Sequence, residues 1–166
     1  LFSGGQDSAI CLFWALNRFA TVHTVGFDYG QQHVVEMQCR KSMLHNIATL
    51  NTPWGTRLGT DTVLDLGIMN QLASNSLVPG SQGNAQPNTV NSEVPDSFVP
   101  GRNLIFITLS AALAYKLDSS QLVCGVCETD FSGYPDCRDD TIKAMQVAIN
   151  LGMATHMVMH TPLMWL

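Results

Sequence analysis

Two adjacent glycines flanked by hydroxyls and an acid, Ser3-Gly-Gly-Gln-Asp-Ser8, stand between an apolar start and an amphipathic stretch over residues 8–19. A chain that passes from an extended segment into a helix this abruptly leaves the first helical N–H groups without partners, and the helix dipole adds positive charge at the same place. Such a turn is a ready anion site, and phosphate is expected there. Gly4 and Gly5 admit backbone conformations and a close approach that a side chain obstructs, while the Ser3 and Ser8 hydroxyls add donors. No Gly-Lys-Ser/Thr follows, which excludes a Walker loop, and the spacing is not that of a dinucleotide fingerprint. The plain alternative is a capped helix after a tight turn.

The rest of the chain alternates in period. Ile10, Leu12, Phe13, Leu16 and Phe19 recur at helical spacing, and 22–27 is an apolar run of strand length. Residues 33–50 read as a helix and 62–66 as a strand after the breakers Pro53 and Gly55. Then follow a helix over 103–117, a strand over 122–126, a helix over 139–151 and a short strand over 157–160. The expected fold class is α/β, a Rossmann-like parallel sheet with helices on both faces. Residues 74–96 are rich in Ser, Asn, Gly, Pro and Gln and predict a long mobile loop.

The 166 residues suit one domain, and 46% hydrophobic content can bury a core covered on both sides. A net charge of −5 with only 8 Lys plus Arg argues against extended nucleic-acid binding. No apolar run approaches the roughly 20 residues of a membrane span and no signal peptide opens the chain, so a soluble cytoplasmic protein is expected. The five cysteines predict reduced thiols, and the Cys124/Cys127 pair has no second pair to complete a zinc site. Only Leu1 and Phe2 precede the glycines, and 161–166 ends in an apolar run, so the domain is expected to be truncated at both ends.

The loop matches, at every specified position, the SGGxDS signature of the pyrophosphate-loop ATP pyrophosphatase family, and the chain resembles it. Phe27-Asp-Tyr-Gly-Gln31, Phe98-Val-Pro-Gly-Arg-Asn103, the run from Gly125 to Asp139 and Thr161-Pro-Leu-Met-Trp165 resemble, within that group, the 7-cyano-7-deazaguanine synthase family. The resemblance implies an adenine nucleotide alpha hydrolase-like fold and an ATP-dependent ligase of queuosine (7-deazapurine) biosynthesis. Its substrates would be 7-carboxy-7-deazaguanine and ammonia, with ATP and Mg²⁺ as cofactors, and a homodimer is left open. It also implies Zn²⁺, but the cysteine-rich segment that follows the Pro-Leu-Met-Trp block in the family is absent here.

Phe2, Ser3, Gly4, Gly5, Gln6, Asp7 and Ser8 are the expected nucleotide-binding residues. Asp7 could support the loop, orient a magnesium-bound water or cap the helix. Arg102, in a turn before an apolar helix, can reach a phosphate or the substrate carboxylate with its fork. Asp7 and Arg102 are thus the catalytic candidates; no metal-ligand residues are assigned. The deazapurine's donor edge calls for an acceptor such as Glu128 or Asp130, its flat body for Phe131 or Tyr134, and its carboxylate for Arg138. A bland account pairs Arg102 or Arg138 with Asp136 or Asp139 at a helix start. Asp28, after the second strand, has a structural alternative. Two rival readings remain: a pyrophosphate-loop enzyme that modifies tRNA, which the acidic balance opposes, and a non-catalytic nucleotide-binding module.

Overall fold

The computed structural model describes residues 1–30, 34–71, 98–128 and 134–166. The expected loop at 74–96 lies outside them. The elements run α1 (Gln6–Leu16), β1 (Val22–Asp28), α2 (Val34–Thr49), α3 (Pro53–Arg57), β2 (Leu58–Asp65), α4 (Arg102–Lys116), β3 (Gln121–Val123), α5 (Asp139–Gly152) and β4 (Val158–His160). Short 3-10 turns occupy Gly67–Gln71 and Pro135–Cys137.

β1 pairs with β2 and β3 with β4, both in parallel. The opening residues join the pairs: the Phe2 N–H donates to the Val25 carbonyl at 2.8 Å, and the Leu1 nitrogen to the Val123 carbonyl at 2.6 Å. Side chains alternate accordingly. Val25 and Phe27 face one side with Leu66, Met69 and Val99, where Phe27 stacks on Phe106 of α4 with ring centroids 4.3 Å apart. Phe2 faces the other side with Leu12 and Leu16 of α1 and Leu44 and Ile47 of α2. A third cluster seals α4 and α5 around β3 through Ile107, Ala111, Leu122, Ile142 and Ile149. Helices therefore cover both faces of a parallel α/β sheet, as the alternating periods predict.

Two stretches differ from their sequence reading. Pro53 starts α3 instead of breaking the chain, because a first helical position loses nothing with the missing N–H. Gly55 then lets α3 sit against the end of α2, where a Cβ would lie 2.9 Å from the Ile47 and Leu50 carbonyl oxygens. The strand expected at 62–66 accordingly begins at Leu58. The strand expected at 122–126 ends at Val123, and the chain beyond it turns toward α1. No helix among the described residues is long and apolar enough to cross a membrane.

Candidate functional site

Gly5 takes the N-cap position of α1 with φ −75° and ψ 167°. The loop before it is held from inside by its own hydroxyls. Ser8 Oγ donates to the Gly5 carbonyl at 2.8 Å and receives the Ser3 and Gly4 N–H groups at 3.2 Å each, while Gly5 N–H donates to Ser3 Oγ at 3.2 Å. What remains on offer are the first-turn N–H groups of Gln6, Asp7 and Ser8, the donors a helix cannot satisfy itself. Ordered donors at a helix start, with the dipole behind them, suit an anion.

Gly4 is the fixed point of this turn. Its φ of +101° is one that L side chains rarely adopt, and a Cβ there would lie 2.3 Å from the Glu36 carbonyl oxygen of α2. Gly4→Ala is therefore expected to destabilise the protein by about 1–3 kcal/mol from backbone strain alone. Chemical denaturation measures it, and a change below about 0.5 kcal/mol would show that the loop does not take this form.

The loop opens onto a cleft of about 470 Å³, within the range of small-ligand sites. Gly5, Gln6 and Asp7 line it together with Phe27 near the end of β1, Tyr29, Glu36, Arg102 and the segment that follows β3. Crevices at the carboxyl ends of the strands are where open α/β sheets place their ligands. Gly125 lies where a Cβ would come within 3.2 Å of the Asp7 backbone, so the segment after β3 meets α1 closely here.

Arg102 opens α4 after Gly101, which sits at φ +75°. The turn is pinned by the buried Asp136 carboxylate, which accepts the Asn103 N–H at 2.9 Å and the Asn103 side-chain amide at 3.1 Å. The Arg102 guanidinium lies 5.6 Å from the Tyr134 ring centroid and hydrogen-bonds Tyr29. Burial pushes the Tyr29 hydroxyl above its usual value, although Arg102 pulls it back, so it stays protonated at neutral pH. Tyr134 rests against Phe98 with centroids 5.7 Å apart.

The ion pairs of the bland account do not form among the described residues: Asp136 serves Asn103, and the partner of Asp139 is Lys143. Arg138 is exposed at the N-cap of α5 and does not line the cleft. Glu128 also stands off the lining; its Oε2 accepts the Asp139 N–H at 2.6 Å and so caps α5. Asp28 accepts the Gly30 N–H at 3.2 Å in a local turn. Asp130 and Phe131 lie outside the described residues. Tyr29 and Glu36 join the site without having been singled out from sequence. Tyr29 carried a signal, its place in the Phe-Asp-Tyr-Gly block, whereas Glu36 looks like any acid in a first helical turn.

A model of the family described as queuosine biosynthesis protein QueC matches residues 1–166. The chain belongs to the QueC family. Curated relatives carry a consistent name: the 7-cyano-7-deazaguanine synthase of Alkalilimnicola ehrlichii is 56% identical over 165 residues, 99% of this chain and 68% of its own length. That of Nitratidesulfovibrio vulgaris is 55% identical over 166 residues, 100% of this chain and 67% of its own. The 7-cyano-7-deazaguanine synthase 2 of Sphingopyxis alaskensis is 54% identical, covering 100% and 69%. Membership of the QueC family favours neither a tRNA-modifying enzyme nor a non-catalytic module. The zinc implied by the resemblance finds no ligand group here, because no cluster of three or more suitable His, Cys, Asp or Glu side chains occurs among the described residues.

Proposed function

We propose that the chain is an ATP-dependent ligase that converts 7-carboxy-7-deazaguanine and ammonia to 7-cyano-7-deazaguanine. The observation that carries the reading is the α1 amino terminus opening onto a cleft that Arg102 also lines, in a chain of this family. A carboxylate resists ammonia because oxide is a poor leaving group. Transfer of AMP from ATP to a carboxylate oxygen, with release of pyrophosphate, replaces it with a good one. Ammonia then forms the C–N bond as the C–O bond to AMP breaks and a proton is lost, giving the amide. A second adenylation, on the amide oxygen, lets that oxygen leave as AMP while nitrogen gives up its remaining protons to form the nitrile.

The protein's part is positioning and charge. The Gln6, Asp7 and Ser8 N–H groups hold phosphate oxygens, and Arg102 faces them with a guanidinium that Tyr29 and Tyr134 keep in place. Magnesium would neutralise phosphate charge; Asp7 and Glu36, the carboxylates beside Gly5 on the cleft wall, are the residues to hold it, with phosphate and water supplying its other ligands. Tyr134 offers a wall to the deazapurine, and Glu128, with Oε2 on α5, has its other oxygen for the substrate's donor edge. Asp130, Phe131 and Arg138 remain proposed contacts. The substrate is a small molecule, and neither nucleic acid nor membrane is required.

Isotope exchange between pyrophosphate and ATP, dependent on 7-carboxy-7-deazaguanine, tests the reading; exchange that ignores the deazapurine would overturn it. Glu128→Gln keeps the size but faces a donor toward the substrate's N–H groups, and is expected to weaken deazapurine binding by about 1–3 kcal/mol. Calorimetry with each ligand checks this, and weakened ATP binding with intact deazapurine affinity would move Glu128 to the nucleotide side.

A further inference from the structure

Beneath the phosphate loop lies a charge that the mechanism does not use. Arg40, on α2, is fully buried at 0% exposure. Its Nη1 donates to Asp61 Oδ2 at 2.6 Å and its Nη2 to Asp61 Oδ1, a bidentate pair with β2. Thr24 of β1 donates its hydroxyl to the same carboxylate at 2.6 Å. The Nε–H gives a 2.9 Å hydrogen bond to the carbonyl of Phe2, the last residue before the loop.

The backbone has made room for this group. A Cβ on Gly26 would lie 2.6 Å from Arg40 Nε, and one on Gly4 would lie 3.0 Å from Arg40 Cβ. Arg40 is buried while the Asp61 side chain keeps 36% of its surface exposed; taking a guanidinium out of water costs much of what the pair gains, so what the pair adds is fixed geometry. Asp61 orients the planar fork through Nη1 and Nη2, and Nε then holds the peptide from which the loop departs.

We propose that Arg40, anchored on Asp61, is a positioning residue for the phosphate loop, setting through the Phe2 carbonyl the register in which the first-turn amides of α1 meet ATP. The inference rests on the reading that this loop binds ATP. Arg40→Lys keeps the charge, but one ammonium on a flexible stem cannot serve both Asp61 oxygens and the Phe2 carbonyl. The experiment first measures ATP binding to the parent protein, then the KM for ATP, the Kd for 7-carboxy-7-deazaguanine and the thermal midpoint of the variants. Arg40→Lys is expected to raise the ATP KM by roughly tenfold to a hundredfold. Deazapurine affinity is expected to hold within about twofold. Equal weakening of both ligands, tracking a lost folded fraction, would reduce Arg40 to a structural strut and overturn the proposal. Should Arg40→Lys not fold, Asp61→Asn, on a partly exposed carboxylate, releases the anchor alone and is expected to raise the ATP KM in the same direction. An unchanged ATP KM in a folded Asp61→Asn protein also overturns it. A parent protein that binds no ATP sinks the loop reading itself, whereas ATP binding with unaffected variants sinks only the role of Arg40.

Discussion

Gly5→Val is expected to weaken ATP binding by at least roughly a hundredfold and to leave the fold standing. At φ −75° and ψ 167° the Gly5 backbone is extended, a conformation that a β-branched residue adopts readily. A Cβ there meets Ser3 Oγ at 3.4 Å and Glu36 Oε1 at 4.0 Å, both ordinary van der Waals contacts with side-chain atoms. The branch instead projects where phosphate approaches the first-turn amides. Losing two charge-assisted hydrogen bonds of about 1.5–3 kcal/mol each weakens ATP by at least roughly a hundredfold. Calorimetric titration with ATP beside a thermal melt checks both halves. Undiminished ATP affinity in a folded variant removes the loop from the nucleotide site. The contrast with Gly4 is the sharper test of the geometry, since two adjacent glycines are expected to fail in different ways, one in stability and the other in binding.

Arg102→Ala is expected to lower kcat by about 10²–10³-fold, the usual cost of one preorganised donor facing developing charge. Asp136 holds the turn through Asn103, not through Arg102, so the start of α4 survives the substitution. Tyr29 loses its guanidinium neighbour and its hydroxyl titrates still higher, which leaves it neutral at working pH. Steady-state kinetics should show the loss in kcat, and Arg102→Lys should recover only part, because a point charge cannot replace the fork. A loss confined to the KM of the deazapurine would instead place Arg102 on the substrate carboxylate.

The turn at residues 3–8 was legible because its constraints are local. The Gly4 conformation and the Ser8 hydroxyl act within a few residues, and the residue types report them, whereas Gly5, read as needing the same freedom, takes ordinary extended angles. Helix and strand order followed for the same reason, from the helical spacing of apolar residues in α1 and from apolar runs of strand length such as β1. Arg40 was not legible, since a cation in a polar helix looks solvated until β2 brings Asp61 against it and Gly26 clears the space. Glu128 shows the opposite limit. Its position after a buried strand pointed to a ligand, yet one oxygen is committed to the α5 amino terminus, a helix start some ten residues on whose approach no local pattern announces. Pro53 and Gly55 carried a genuine signal that was ambiguous, because the residues that end a helix also begin one.

The most direct test of the account counts AMP against nitrile. The protein is incubated with ATP, Mg²⁺, ammonium and 7-carboxy-7-deazaguanine, and AMP, pyrophosphate, amide and nitrile are quantified together. The account predicts AMP and pyrophosphate in equal amounts, one of each for every oxygen removed from the carboxylate, with the amide appearing before the nitrile. ADP and inorganic phosphate in their place, or nitrile formed with AMP spent only on the first oxygen, would contradict it.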